Sequence, residues 1–567
     1  MNEKIQIEIL LRDFFAIFAF SFFLFLPLFI SNNWFDGHDG IRFLCLFEQF
    51  KAGIIEGVLF PRWLPDNYGG FGYPDFVFYQ PGFFYFLLLF SFFIEDTLTL
   101  FFISLFILLC LGAFAVYLLA RRYYSSLGAV VSALLFTLTP YIYVDIYVRS
   151  DLAEFASMMI IPWIFFVIEK FIYTVDTKKI LIYFVFCSLL MAILVYTHPF
   201  TAMFFFSFCF LIYAFSFFYT ERAKAKSAVL FVFFAIFAGI SLSAPYWLTA
   251  FLMKQYVNYK VALTNGLETK NHLLYISQFF SRFWGFGGSI KGINDEMSFQ
   301  LGAPHFILAV FGFFCAKDRK FKIIFMIYLL SLFFLLDNQF NRFIWSRVPF
   351  INMVQFPWRL LSVISFLQIF SIFPFILRIS QIPGKKAMVI LLFLPAFFLF
   401  YYEKMLYMKT SDADTRVVLT QHRDGRKFIF GSYSSFNEFF PVYIKRHPEK
   451  ARGNRGLIEV LGDDVVVREL SYSSAYRYSA VVFAKKSQFV RALQFYFPGF
   501  VVLVNGIDIT RNVKILDDGS FIFEIPEGES LVNLYYSGTP YDNFAILLAI
   551  SGFIVSISGF KILVYRK

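Results

Sequence analysis

Apolar runs long enough to cross a bilayer recur along almost the whole of this chain, and nothing else constrains its fold as strongly. A membrane-spanning helix needs roughly 17–25 apolar residues. Such runs lie near 14–30, 97–119, 126–142, 152–169, 180–197, 200–219, 227–250, 303–316, 322–337, 357–377, 387–402 and 544–560. Composition agrees: 59% of the 567 residues are hydrophobic, 87 of them Phe, and only 16% are charged. A soluble domain carries about 25% charged residues. Mean hydropathy is +0.67. The expected fold class is therefore an α-helical polytopic membrane protein. The first run lacks a small-residue cleavage site and reads as an uncleaved span.

The net charge of +11 would suggest nucleic acid in a soluble chain. Here the basic residues cluster in short linkers, where they orient spans, and no basic stripe carries stacking aromatics, so nucleic acid is excluded as a partner. The clusters are Arg121-Arg122, Lys170 with Lys178-Lys179, Arg222/Lys224/Lys226, Lys317 to Lys322, Arg378 with Lys385-Lys386, and Lys561 with Arg566-Lys567. They share the cytoplasmic side if 81–94 does not cross, and its unbroken apolar stretch, Phe83 to Ile94, is short enough to be interfacial. The expectation is about twelve crossings of the plasma membrane, with both termini cytoplasmic. Five cysteines show no metal-ligand spacing and no disulfide framework.

This topology, built from hydropathy and Lys/Arg alone, puts the unusual polar groups on one face. The first loop, 31–96, is polar and aromatic and holds Asp36, then His38 and Asp39 between Gly37 and Gly40. A carboxylate there suits a general base, or a holder of a divalent cation on a phosphate; the plainer reading is a turn or cap. Asp39 is the candidate catalytic residue because it abuts a helical pattern from Ile41 to Ile55. Arg149, Asp151 and Glu154 open a span, where Ser150 or Asp151 would cap and Glu154 would lie one turn inside the apolar run. His198 sits in a Thr-His-Pro turn and Arg359 at the outer end of a span, placed to clamp a phosphate or to snorkel. His38, Arg149, Asp151, Glu154, His198 and Arg359 are the candidate substrate-binding set.

Residues 408–540 change character: alternating runs at 465–470, 480–484, 500–504, 521–525 and 531–535 are punctuated by Asn505-Gly506 and Asp518-Gly519. An external β-sandwich domain is expected there, after a membrane domain over 1–407 and before a last span and cytoplasmic tail over 541–567. No P-loop, His-Glu-x-x-His helix or three-histidine zinc pattern occurs.

Several of these segments resemble a known family. Gly37-His-Asp-Gly40, Glu48-Gln49, Gly57-x-x-x-Pro-Arg-Trp-x-Pro-Asp66, Tyr68-Gly-Gly-Phe-Gly-Tyr-Pro74 and Phe78-Tyr-Gln-Pro81 resemble bacterial membrane proteins catalogued as 6-pyruvoyl-tetrahydropterin-synthase-related, which look like GT-C glycosyltransferases. The likeness extends through Tyr147 to Glu154, Thr197-His198-Pro199, Leu242 to Trp247, Gln355 to Arg359 and Phe495 to Phe500. It implies a GT-C-like fold, a first-loop acid carried over onto Asp39, and a polyprenyl-phosphate-sugar donor. Family members often have a histidine shortly after that acid, where this chain has Arg42-Phe43, which bears on metal binding by the loop. The pterin chemistry in the name is set aside, since that soluble enzyme's zinc site needs a histidine cluster. The reading is a glycosyltransferase acting on a cell-envelope glycan or protein acceptor at the outer face. A lipid-glycan flippase, a polysaccharide-export scaffold and a non-catalytic glycan binder are the alternatives, though a transporter would place its charges at mid-membrane in paired halves.

Overall fold

The computed structural model describes residues 3–31, 33–259, 268–348, 351–383, 385–410, 439–446, 448, 456–462, 464–470 and 476–565. It is mostly helical with a C-terminal β region, the fold class expected from the apolar runs. The first long helix, α1 (Glu3–Ile30), leads to an amphipathic α2 (Gly40–Ile55), a one-turn α3 (Asp75–Phe78) and α4 (Gly82–Ser91). At ten residues α4 is about 15 Å long, half the thickness of a hydrocarbon core.

The core helices are α5 (Thr97–Ala120), α6 (Ser126–Thr137), the short α7 (Pro140–Tyr143), α8 (Leu152–Ile172), α9 (Thr177–Thr197), α10 (Pro199–Ala214) and α11 (Arg222–Leu242). After these come α12 (Ala244–Met253), α13 (Ile276–Phe280), α14 (Ala303–Cys315), α15 (Arg319–Leu335), α16 (Gln339–Arg347), α17 (Leu361–Ser380), α18 (Lys385–Tyr401) and α19 (Asp542–Tyr565). Among the described residues, eight helices are long and apolar enough to cross a membrane, or nine if the bent pair 126–137 and 140–149 is one span. The three remaining expected spans are α14, α15 and α18, of 13, 17 and 17 residues.

Two spans differ from expectation. The run 126–142 ends at Thr137 and resumes at Pro140 with a 44° bend, because proline cannot continue the hydrogen-bond ladder. The run 227–250 breaks at Ser243, ahead of Pro245, into α11 and α12.

The β region is a two-sheet sandwich. Its strands are β1 (Ile458–Val460), β2 (Val465–Glu469), β3 (Arg477–Ala484), β4 (Gln488–Ala492), β5 (Phe500–Val504), β6 (Ile507–Asp508), β7 (Lys514–Ile515), β8 (Phe521–Ile525) and β9 (Gly528–Tyr536). One sheet runs β1-β4-β8-β7, the other β2-β3-β9-β5-β6, and all pairs are antiparallel. Inward residues of both sheets, such as Val490, Phe523, Val482, Val502 and Val532, form one core. Residues 411–438, 449–455 and 471–475 of the expected domain lie outside the described residues.

That core also takes in Trp63, Phe71, Tyr73 and Val77 of the first loop. Trp63 Nε1 donates to Gln494 Oε1 at 2.8 Å, and Gln494 Nε2 donates at 3.2 Å to the carbonyls of Pro65 and Gly70. Phe495 N donates to Phe71 O at 2.7 Å and its ring stacks on Phe71. Gly72, at φ +81°, must be glycine here: a Cβ would press on Trp63 and Gln494. Thus two motifs about 430 residues apart in sequence are the two halves of one joint.

Candidate functional site

The site starts from an unusual helix ending. Residues Val144–Arg149 form a π-helical turn, and Ser150 follows in the left-handed conformation at φ 53°. A non-glycine residue there is strained, and such strain clusters at functional sites. The reversal folds Arg149 back over the start of α8. Its Nη1 then donates to Glu154 Oε2 at 2.6 Å and to Tyr141 Oη at 3.1 Å, and its Nη2 to Asp151 Oδ2 at 2.9 Å. Asp145 pairs with the same guanidinium, and the Trp358 ring lies 4.6 Å beneath it. The contact between Arg149 and Glu154, five residues apart, depends on this turn.

The first loop lies on the same turn. His38 N donates to Val148 O and Asp39 N to Arg149 O, both at 3.0 Å. Gly37 and Gly40 flank the pair because a Cβ on Gly37 would strike Ser150 and one on Gly40 would strike the Trp34 indole. The two glycines therefore allow the close approach that aims His38 and Asp39. Asp39 stands at the N-cap of α2 yet makes no side-chain capping bond, so its carboxylate is not spent on the helix. Burial raises its pKa; Arg42 and Arg149 oppose that and nearby Asp151 adds to it. His38 Nε2 meets Gly287 O at 3.1 Å, and burial, with Arg149, lowers its pKa. Asp36 is elsewhere, paired at the surface with Lys409 at 2.5 Å.

His198 caps α10: its Nδ1 is 2.7 Å from Thr201 Oγ1 and 3.3 Å from Thr201 N. Its Nε2 faces Asp151 Oδ2 at 3.9 Å and Glu154 Oε2 at 4.0 Å. Burial lowers the His198 pKa, against the pull of Glu154 and Asp151. Of the two cap candidates, Ser150 and Asp151, it is Asp151 that caps α8, through Oδ1 to Glu154 N at 3.2 Å, while its Oδ2 meets Arg149. Although burial pushes the Asp151 carboxyl up, Arg149, His198 and Arg359 hold it below its ordinary range. Arg359 reaches the same oxygens at 4.0 and 3.9 Å, and its Nε has no hydrogen-bond partner.

All seven candidate residues, Asp39, His38, Arg149, Asp151, Glu154, His198 and Arg359, thus gather at one end of the helix bundle. Sequence reading missed Tyr141, Asp145, Asp75, Tyr79 and Trp358. The signal for the first two was present: Tyr141, Asp145 and Arg149 repeat at four-residue spacing, one face of a helix. Arg42, at the position where the family often has histidine, pairs with Asp75 at 3.3 Å over the Tyr79 ring. Asp75 in turn accepts from Asn67, which accepts from Gln49, so the loop motifs hold one another.

The residues fit a cation. Ligand atoms of Asp151, Glu154 and His198 lie within 4.8 Å of one another. Five carboxyl groups (Asp39, Asp75, Asp145, Asp151, Glu154) face three guanidiniums (Arg42, Arg149, Arg359), an excess of two.

No family model matches the chain, so the family resemblance read from its motifs gains no support there. No curated protein matches either. Among solved structures the chain is similar to the oligosaccharyltransferase of Archaeoglobus fulgidus in its apo form, with a TM-score of 0.44 and 11% identity. The similarity covers 76% of this chain and 60% of that one, so the chain spans less than two thirds of that protein's length.

Proposed function

We propose that this protein is a GT-C-like membrane glycosyltransferase that moves a sugar from a polyprenyl-phosphate donor to an acceptor hydroxyl at the outer face of the membrane. One observation carries the reading: an uncapped, half-buried Asp39 stands beside a buried cluster of Arg149, Asp151, Glu154, His198 and Arg359 at one end of an apolar helix bundle. A donor whose phosphate is anchored in lipid suits a chain without a nucleotide-binding motif.

In this mechanism the Asp39 carboxylate takes the acceptor proton while the acceptor attacks the anomeric carbon. The bond from that carbon to the phosphate oxygen breaks, and the phosphate leaves with the bonding pair. Its raised pKa makes Asp39 a stronger base than an ordinary carboxylate. Arg359 is the phosphate clamp, because Arg149 is already hydrogen-bonded to three carboxylates whereas Arg359 meets Asp151 and Glu154 only at 4.0 and 3.9 Å and its Nε makes no hydrogen bond. A divalent cation held by Asp151, Glu154 and His198 would supply further charge neutralisation at the leaving phosphate. His198 would then bind through Nε2 in the tautomer whose Nδ1–H donates to Thr201 Oγ1, giving up the capping bond from Thr201 N.

Asp39→Asn in proteoliposomes loaded with lipid-linked sugar tests the reading. Transfer should fall by about 10²–10⁴-fold, the range for loss of a general base. Unchanged turnover would sink the assignment.

A further inference from the structure

We infer that the arm formed by residues 276–293 is seated in the outer lipid leaflet rather than in water. The arm has two unlike faces. Inward, Gly287 O meets His38, and Ser289 Oγ accepts from Trp358 Nε1 at 3.2 Å and pairs with His272 Nδ1 at 3.0 Å. Outward, Ile276, Phe280, Phe283, Ile290 and Ile293 are exposed, at 62, 37, 52, 43 and 53%, with the cations Arg282 and Lys291 exposed among them. Ser289 and Ile290 are neighbours in sequence that face opposite ways. So large an apolar set on one short segment marks an interaction surface rather than scattered surface residues.

Position on the fold selects lipid as the partner. Phe280 packs on Phe306 of α14 with ring centroids 5.1 Å apart. Arg282 donates to Tyr401 O at the end of α18, and its guanidinium lies 4.8 Å over the Tyr401 ring. The exposed face of the arm therefore continues the exposed apolar faces of those helices, Ile307, Phe311 and Phe314 on one and Phe393, Phe397 and Phe400 on the other. Arg282 beside Tyr401 is the arginine–aromatic pairing typical of a headgroup boundary.

Length gives an independent argument. At 13 residues α14 is about 20 Å long, roughly 10 Å short of a hydrocarbon core. A helix that short leaves an apolar gap at its end unless another apolar segment fills it or the bilayer thins. The arm stands directly on the first turn of α14, through Phe306 and the bond from Leu301 N to Phe279 O, and it supplies that surface. Asn294 and Glu296 are exposed beside Ile293 and form a polar rim to the face, with part of the Glu296 side chain lying against Gly287. The inward contacts then tie the depth of the leaflet to His38.

Spin labelling tests this independently of any transfer chemistry. In a Cys315→Ser background, which removes the one native cysteine that is not buried, single cysteines replace Ile293 and Phe283 in the full chain. Phe393 serves as a lipid-facing control and Val466, exposed on the β-sandwich, as an aqueous one. Each is labelled and reconstituted in phosphatidylcholine–phosphatidylglycerol vesicles. Power saturation should show the arm labels relaxed by oxygen and shielded from a water-soluble nickel chelate, as at Phe393. Arm labels as open to nickel as the Val466 label would overturn the inference, and would instead point to a water-side partner for this face.

Discussion

At Arg149, Asp145, Asp151 and Glu154 converge on one guanidinium, and that crowding decides what a single substitution does. Glu154 is fully buried and also accepts from Tyr141 Oη at 3.0 Å. As a helix-start charge alone it would contribute about 0.3–1 kcal/mol of stability and nothing to activity. Its burial between Arg149 and Arg359 argues for more. Glu154→Gln keeps the shape, and Arg149 keeps two carboxylates, so folding should survive. Transfer should fall by about ten- to a hundredfold, the worth of one charge-assisted hydrogen bond of roughly 1.5–3 kcal/mol. Transfer rate and melting temperature of that one variant check it; a lowered melting temperature with normal transfer would return Glu154 to a structural role.

Among elements, the far end of α8 carries a second buried pair. Lys320 Nζ donates to Glu169 Oε1 at 2.5 Å and to Tyr123 Oη at 2.9 Å, while Tyr213 and Tyr123 both donate to Glu169 at 3.0 Å. Both oxygens of Glu169 are thus hydrogen-bonded, and the pair pins α8, α10 and α15 together. Lys320→Ala leaves a buried carboxylate with only tyrosine donors and should cost about 3–5 kcal/mol. Combining Lys320→Met with Glu169→Gln should recover most of that in a thermal melt. If the double variant is as unstable as the single one, the cost lies in packing.

The start of α16 is held differently. Arg342 donates to both oxygens of Asp337, at 2.5 and 2.7 Å, and Tyr275 Oη adds a bond at 2.8 Å. These bonds, Arg342 first, lower the Asp337 pKa below its ordinary value. A carboxyl depressed in the fold stabilises above its unfolded pKa of about 3.9 and loses that contribution as pH falls through the lower folded value. Amide exchange protection of 339–347 should therefore be flat from about pH 5 to 7 and drop only below about pH 4. Arg342→Gln should remove most of that acid dependence; a variant with the wild-type profile would refute it.

On the scale of the whole molecule, the first loop joins three bodies. It lies on the turn that leads into α8 through His38 and Asp39, on the β-sandwich through Trp63 and Phe71, and on α19 through Arg62, whose Nη2 is 2.9 Å from Asp542. The site, the loop and the sandwich must then share one side of the membrane. We propose from the positive-inside pattern, with α4 not crossing, that this side is the outer one. Cysteines placed at the exposed Glu95 or Asp96 should react with an impermeant maleimide in intact cells. Labelling only after permeabilisation would invert the topology.

Sequence alone determined the fold class, since apolar run length is a local property that a bilayer reads directly. It also located five strands and both Asn-Gly and Asp-Gly turns, because alternation and positive φ are local as well. It picked out Asp39, Arg149 and Glu154 as conspicuous charges. It did not show that Arg149 would bend back, because that needs a left-handed Ser150 held by contacts from Gly37. Nor did it show Asp145 or Asp75 as members of the cluster, since each has its meaning only beside a partner from another turn or helix. The tertiary structure alone decided that an uncapped Asp39 faces an acid-rich cluster, because burial and charge proximity are pairwise properties of groups distant in sequence.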